Sequence, residues 1–226
     1  MKTVKILLTT AIALNAALFM ASTNVHAAEP EAATSTNKVQ FNGDNTDPTD
    51  PINPVDPIDP TNPGTGNSGP LSIDYVSNID FGIQEVSSNT EVYQALNEKP
   101  YVQVTDKTGS GDGWLLTAQA TEFKNSDGSK TLKGAELSFL NGQTGTTAAN
   151  ISTAPTVNQS VIFTNQAAQE VMKAEVGAGK GTWTDNWSGT ANANENVLLK
   201  VLPGSADATS YQATITWTLT SGPTAS

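Results

Sequence analysis

The sequence predicts an all-β domain, a β-sandwich of the immunoglobulin-like or a related type, preceded by a disordered linker rich in Pro and Asp. Over residues 70–226, short runs rich in Thr, Val, Ile and aromatic residues alternate between apolar and polar positions, and Gly, Asn and Asp separate the runs. Residues 28–69 carry few large apolar side chains, so they cannot bury enough surface to fold alone. The chain contains no Cys, so no disulfide framework shapes it.

The first 27 residues have the pattern of a secretory signal peptide. Lys2 and Lys5 precede an apolar stretch, and Val25-His26-Ala27 supplies the small residues two positions apart that signal peptidase requires. We therefore predict cleavage after Ala27. The apolar stretch is short for a membrane-spanning helix, and no second such stretch follows, so we expect no membrane span in the mature protein.

The mature chain predicted in this way has an unusual composition. Removal of residues 1–27 takes away two of the 11 basic residues and none of the 22 acids, so the formal net charge changes from -11 to -13 (9 minus 22). The mature chain also lacks His, Cys and Arg. Without His, it lacks the usual general base and the commonest transition-metal ligand. Without Arg, it lacks the guanidinium group that binds phosphate through two hydrogen bonds. We expect no cofactor, no metal site and no nucleic-acid partner.

Residues 28–69 are predicted to form the acidic linker. Proline recurs at every third position from Pro48 to Pro63, and an Asp or Asn precedes each of these prolines. Three residues make one turn of polyproline II, and at about 3.1 Å per residue Asp47 to Pro63 would extend on the order of 50 Å. We interpret residues 47–63 as a stiff spacer; a ligand of a proline-recognition domain and a divalent-cation site are the alternatives.

Residues 70–226 are predicted to fold as one β-domain because period-two alternation recurs along them. The pattern is clearest near the C-terminal end, where Gln and Thr occupy the other face of the strand. Asp127-Gly128 predicts a tight turn, and residues 166–174 favour one short helix. The alternating apolar positions are Leu71, Ile73 and Tyr75; Val102 and Val104; Trp114, Leu116, Ala118 and Ala120; Leu137 and Phe139; Val161 and Phe163; Val197, Leu199 and Val201; and Tyr211, Ala213, Ile215, Trp217 and Leu219.

Two Trp-x-Leu motifs occur in this pattern, Trp114-Leu115-Leu116 and Trp217-Thr218-Leu219. Residues two apart on a strand share a face, so Trp114 pairs with Leu116 and Trp217 with Leu219. Two interpretations stay open: the pairs fill the core as a fold signature, or a tryptophan lines a groove and stacks on sugar rings or on a partner's side chains. Trp183 and Trp187 flank a turn-like stretch, which makes them candidates for exposed aromatic contacts.

These features resemble the WxL domain family. Besides the two motifs, the resemblance rests on residues 71–76 followed by Ile79-Asp80-Phe81-Gly82, on residues 100–106 and on residues 179–183, and it covers residues 70–222. It implies a secreted Gram-positive protein of the cell surface that attaches non-covalently to the cell wall. Peptidoglycan is the implied target, and other surface proteins are further partners. The alternative is a protein–protein scaffold module that is retained at the wall through a partner.

Catalysis is not expected from this composition. Without His or Cys, only a pair of carboxylates could serve as general acid and base. The sequence around Glu136, Glu170 and Glu175 matches no recognisable catalytic motif. Asp106 and Asp112 lie in a glycine-containing loop, for which a solvated turn is preferred over a calcium site.

The charge of the domain restricts how it can attach to a wall that carries anionic polymers. Residues 70–226 contain eight lysines and fifteen acids, so the domain is seven charges negative (8 minus 15). Like charges repel, most strongly at low salt. Attachment is therefore expected to rest on stacking, on hydrogen bonds or on bridging cations.

Overall fold

The structure, a computed structural model, describes residues 35–53 and 62–222. The predicted signal peptide, residues 1–27, lies outside this part of the chain, and so do residues 54–61 of the proline repeat. The described residues form twelve β-strands, and among them there is no helix long and apolar enough to cross a membrane. All twelve strands belong to one compact unit, Gln40–Ser226.

The twelve strands form three four-stranded antiparallel sheets, which confirms the all-β prediction. The bounds are β1 (Leu71–Val76), β2 (Glu91–Ala95), β3 (Tyr101–Asp106), β4 (Trp114–Ala120), β5 (Glu136–Leu140), β6 (Gln143–Thr146), β7 (Thr156–Val157), β8 (Ser160–Phe163), β9 (Gln169–Ala174), β10 (Gly181–Asn186), β11 (Asn194–Val201) and β12 (Ile215–Ser221). The first sheet has the order β1-β3-β10-β6, the second β2-β11-β5-β8 and the third β12-β4-β9-β7. Each sheet therefore joins strands that are distant in sequence.

One hydrophobic core draws side chains from all three sheets. It contains Val104 and Trp183 of the first sheet, Phe139 of the second, and Trp114 and Met172 of the third. Burying one large apolar side chain contributes about 1.5–3 kcal/mol, so this shared core is the main source of stability. The apolar positions predicted between residues 102 and 201 are all buried, which confirms the alternation on which the fold prediction was based.

The C-terminal alternation is also confirmed, although the strand is shorter than the pattern. Residues 211–220 are half-buried and exposed in strict alternation. Hydrogen bonding of β12 begins only at Ile215, while Gln212 pairs with Lys124 as an isolated bridge. Tyr211 packs against a small second cluster formed by Leu132, Leu199 and Val201 instead of the main core.

The helix predicted for residues 166–174 is wrong, because residues 169–174 form β9. This strand pairs with β4 on one side and with β7 on the other, and Lys173 lies opposite Leu115 and Thr156. Pairing on both sides buries Val171 and Met172 completely. Tertiary packing of this kind overrides the small free-energy differences that underlie helix propensity.

The turn predicted at Asp127-Gly128 is confirmed. Gly128 has a φ of +74°, a conformation that a residue with a side chain rarely adopts, and its N–H donates to the carbonyl of Asn125 at 3.0 Å. The turn brings Lys124 opposite Thr131 in an antiparallel bridge.

A bulge in β1 changes the face on which Tyr75 lies. The alternation predicts that Tyr75 shares the face of Leu71 and Ile73. Instead, the register shifts between Ile73 and Tyr75, and Tyr75 pairs with Gln103. Its ring stacks on that of Tyr101, with centroids 4.4 Å apart. One extra residue in the strand reverses the orientation of the side chains that follow, so the predicted position of Tyr75 is corrected.

The side of the first sheet that faces away from the core is polar and yet buried. An antiparallel sheet of this kind would ordinarily expose such a side to water. Here residues 46–53 lie across it, and Asp50 and Ile52 hydrogen-bond with Gln103. The described part of the predicted linker thus contacts the domain, while its disorder stays a prediction. We call this side the polar face, defined by six side chains at most 8% exposed: Ser72, Asp74, Gln103, Thr105, Thr182 and Thr184.

Candidate functional site

The two Trp-x-Leu motifs lie side by side on neighbouring strands of the third sheet. In the pairing of β12 with β4, Leu219 lies opposite Leu116 and Trp217 lies opposite Ala118. Directly opposite residues of an antiparallel pair project from the same face, so the motifs share one face. The two leucines lie opposite each other, with Trp114 on one side of them along the strands and Trp217 on the other.

Trp114 holds the glycine-rich loop of residues 177–181, which leads into β10, against the core. It is fully buried, and its indole N–H donates to the carbonyl of Gly179 at 3.1 Å. Gly179 has a φ of +73°, and a Cβ at this position would lie 2.6 Å from the indole nitrogen. The indole of Trp183 donates to the carbonyl of Lys180 at 2.9 Å in the same loop. Two tryptophans therefore fix this loop, and only glycine fits at residue 179.

Trp217 is half-buried and begins a row of aromatic rings that crosses the core. Its ring lies 6.3 Å from that of Trp187, which lies 4.7 Å from Phe139, and Phe163 follows at 6.2 Å in an edge-to-face arrangement. Each such ring pair stabilises the fold by about 0.5–1.5 kcal/mol, in addition to the contribution of the apolar area that it buries. The second motif thereby connects the third sheet to the second.

Trp183 and Trp187 are not exposed contacts, which corrects the expectation from the sequence. They are 4% and 2% exposed, respectively. The stretch between them is strand β10 and not a loop: Trp183 lies opposite Val104 on one side and Thr146 on the other. The main-chain N–H of Trp187 donates to Pro100, so the chain stays against the sheet beyond the end of the strand. No local pattern predicts this pairing, because both partner strands are distant along the chain.

The opposite side of the β4–β12 pair carries mainly hydroxyl and amide groups, with the half-buried Leu115 opposite Thr220. Thr218 lies opposite Thr117, and Thr216 lies opposite Gln119. Neither strand contains a charged residue, and charged side chains first appear on the next strand, β9. The alternation of Gln and Thr in the sequence indicates an exposed side but not its pairing. We call it the threonine face, made of Thr117, Gln119, Thr216, Thr218 and Thr220.

Asp185 is a buried acid that the sequence analysis missed. It lies in β10 opposite Val102 and Thr144, is not exposed to solvent, and neither of its carboxylate oxygens accepts a hydrogen bond of ordinary geometry. Burial raises the pKa of Asp185 to about 8, and the main chain of Gln143 offsets the rise only in part. A side chain at Gly142 would collide with this carboxyl group, so the glycine leaves room for it.

Three acids that the sequence analysis considered, Glu136, Glu175 and Asp106, make ordinary structural contacts. Glu136 and Glu175 make ion pairs with Lys200 and Lys173. Asp106 accepts hydrogen bonds from the N–H and the hydroxyl of Thr108, as in an ordinary turn. Within residues 35–53 and 62–222, no three acidic, His or Cys side chains cluster as metal ligands would.

An all-β domain with Trp-x-Leu motifs paired on neighbouring strands defines a class of cell-wall-binding surface domain. The chain belongs to the WxL family, since the family model described as WxL domain surface cell wall-binding matches residues 28–223, more than half of the chain. Comparisons with curated proteins and with solved structures found no match. The protein therefore attaches non-covalently to the cell wall and is located at the cell surface. The match includes the proline repeat as well as the β-domain.

Replacing Trp114 by Ala is expected to lower the free energy of unfolding by about 3–5 kcal/mol, because it leaves a cavity and frees the Gly179 loop. Urea denaturation measures this loss. Thr218→Ala on the opposite side of the sheet is the control, with an expected change within about 0.5 kcal/mol. A loss below about 1 kcal/mol for Trp114→Ala would show that this side chain does not support the core.

Stability is expected to fall as the pH rises from about 4 to about 8, because of Asp185. Its pKa is raised from 3.8 in the unfolded chain, so over this window the native state binds one more proton than the unfolded state. Asp185→Asn, which mimics the protonated form, should remove most of the decrease in urea midpoint between pH 5 and pH 9.

The exposed acid Asp112, changed to Asn, is the control and should leave the decrease in place. The chain from residue 28 contains no His, so few other groups titrate in this range. An equal decrease in the Asp185→Asn variant and in the parent would contradict the assignment to Asp185.

Proposed function

We propose that the threonine face contacts peptidoglycan of a Gram-positive wall and that the Trp-x-Leu motifs support this face from inside the core. The observation that carries the proposal is the orientation of the β4–β12 pair. Trp114 and Leu116 are buried on its inner side and Trp217 is half-buried there, whereas Thr216 and Thr218 are exposed on the outer side, which is therefore the more accessible side for a direct contact. Hydroxyl and amide groups there can exchange hydrogen bonds with the hydroxyl, acetamido and peptide groups of peptidoglycan.

The absence of charge from the two strands that form this face supports the same proposal. The domain is seven charges negative, and its acids would be repelled by the anionic polymers of a wall. β4 and β12 carry no acid and no lysine. A neutral surface can approach the glycan at the smallest electrostatic cost, whereas the charged surfaces of the domain are kept at a distance.

No catalytic role is proposed. WxL is a cell-wall-binding family, and Glu136 and Glu175 make ion pairs while Asp106 lies in an ordinary turn.

A protein partner is a second candidate for wall retention, favoured by apolar side chains in the loop before β2. Ile83 is 100% exposed and Val86 is 58% exposed. Neighbouring exposed apolar side chains are typical of protein–protein contacts. On this alternative, the chain would be held at the wall indirectly, through another surface protein.

Acidic substitutions on the threonine face are expected to weaken binding to wall sacculi stripped of proteins and anionic polymers. Thr216→Glu with Thr218→Glu should lower the affinity by about tenfold or more, because the hydroxyls are lost and a negative charge enters the contact. Thr209→Glu, an equivalent change in an exposed loop, is the control. Sedimentation of the chain from residue 28 with the sacculi measures binding.

Equal binding of the double variant and the control would exclude the threonine face. If the parent protein fails to sediment with stripped sacculi but binds intact cells, and Ile83→Ser abolishes that binding, the protein-partner alternative is correct.

Binding to walls that keep their anionic polymers is expected to strengthen with salt, with divalent cations and with acid. Each of these reduces the repulsion between the negatively charged domain and the wall. Sedimentation with such walls at increasing NaCl concentration checks the expectation, and the threonine-face variant serves as the weak-binding reference. Elution of the protein by raised salt alone would show that charge attraction holds it.

A further inference from the structure

The polar face of the first sheet binds main chain from the proline repeat through one carboxamide. The Gln103 oxygen Oε1 accepts from the N–H of Ile52 at 2.8 Å, and its nitrogen Nε2 donates to the carbonyl of Asp50 at 3.0 Å. Gln103 is fully buried beneath this segment. A single side chain therefore recognises one donor and one acceptor of the same stretch of backbone, whatever its side chains are.

The orientation of Gln103 is fixed by a buried carboxylate. Asp74 accepts from Gln103 at 2.9 Å and from the hydroxyl of Thr105 at 2.6 Å through one oxygen, while its other oxygen accepts from Ser72 at 2.6 Å. Because Nε2 is held by Asp74, Oε1 is left pointing to the repeat as an acceptor. This arrangement is that of a preformed binding site.

Asn53 is recognised by its side chain as well as by its main chain. Its Nδ2 donates to Oδ1 of Asn186 at 2.8 Å, and its carbonyl accepts from the hydroxyl of Tyr101 at 3.1 Å. The Nδ2 of Asn186 is already used, because it donates to the carbonyl of Gln143 and to the hydroxyl of Thr184. Asn186 therefore presents only an acceptor, and an Asp at residue 53 would place a carboxylate against this oxygen.

Asn62, at the other end of the repeat, also supplies a side-chain donor to an acceptor on the domain. Its Nδ2 donates to the carbonyl of Val76 at 2.8 Å, again a site that offers only an acceptor. Beyond it, Thr65 and Asn67 hydrogen-bond with the carbonyl of Ile73, so this stretch runs beside β1.

The aspartates of the repeat that the structure describes are used differently. Asp47 and Asp50 accept hydrogen bonds from Lys107 and Gln103 through their main-chain carbonyls, and no donor is required of their side chains. Asp56 and Asp59 lie outside the described residues. In the sequence, Asn precedes proline only at residues 53 and 62, and these are the positions where the fold requires a donor.

We propose that Asn53 and Asn62 set the register in which the repeat docks, and that the polar face is a binding site for an extended Asx-Pro-x peptide with Asn at one position. The occupant is this chain's own segment. The repeat has a period of three, so a shift by three residues preserves the positions of the prolines and the backbone shape. Such a shift changes only the Asx side chain, and it would bring Asp50 or Asp56 to Asn186. The Asn–Asp pattern thus selects one register among several similar ones.

The test measures amide hydrogen exchange by NMR in the chain from residue 28. In the parent, the N–H of Ile52 should be protected. Asn53→Asp should speed its exchange by about tenfold or more, while the amide of Val104 in β3 stays protected and shows that the domain remains folded. Asn45→Asp is the matched control, because Asn45 uses its oxygen to accept from Asp47, which a carboxylate also does.

A fourfold variant tests the register directly. Asp50→Asn and Asn53→Asp, combined with Asp59→Asn and Asn62→Asp, move both Asn residues by three positions, so the segment should shift and protection should pass from the amide of Ile52 to that of Thr49. Protection that stays at Ile52, or that is lost from both amides, would overturn register selection. Fast exchange of Ile52 in the parent would show that the polar face does not bind the segment at all.

Discussion

The antiparallel pairing of β12 with β4 is the interaction on which the rest of the structure depends. Thr117 lies opposite Thr218, which is 101 residues further along the chain. This one pairing brings the two Trp-x-Leu motifs together on the inner side and assembles the threonine face on the outer side. It also places Trp217 next to Trp187, through which the third sheet contacts the second. A family signature of two short motifs is therefore a signature of one strand pair.

Much of the fold could be predicted because period-two alternation depends only on the chain's own geometry, and the core faces of β4 and β12 follow from it. The failures share one cause, which is contact with distant residues. β9 is a strand because β4 and β7 pair with it, and Trp183 is buried because β3 and β6 flank β10. The bulge that turns Tyr75 outward and the burial of Asp185 leave no local trace either.

The polar face and the threonine face, which both lie away from the main core, share a common chemistry. The chain has no Arg, and most side chains on these two faces carry hydroxyls or carboxamides, as in Gln103 on the polar face and Thr218 on the threonine face. Such groups offer donors and acceptors without net charge, so their contacts depend weakly on salt. The acids that remain are largely exposed. Of the three acids that are buried in the described part of the chain, Asp74 is saturated with donors, Asp106 accepts hydrogen bonds from Thr108, and Asp185 is neutralised by a raised pKa.

The order of the strands also determines when the domain can form. The first sheet requires β10, the second requires β11, and the third requires β9 and β12, so no sheet can be completed before the last third of the chain is available. Non-local pairing of this kind slows folding, because the entropy of closing long loops is lost before the contacts form. A partly synthesised chain therefore lacks every complete sheet, so the domain can finish folding only after nearly the whole chain is available.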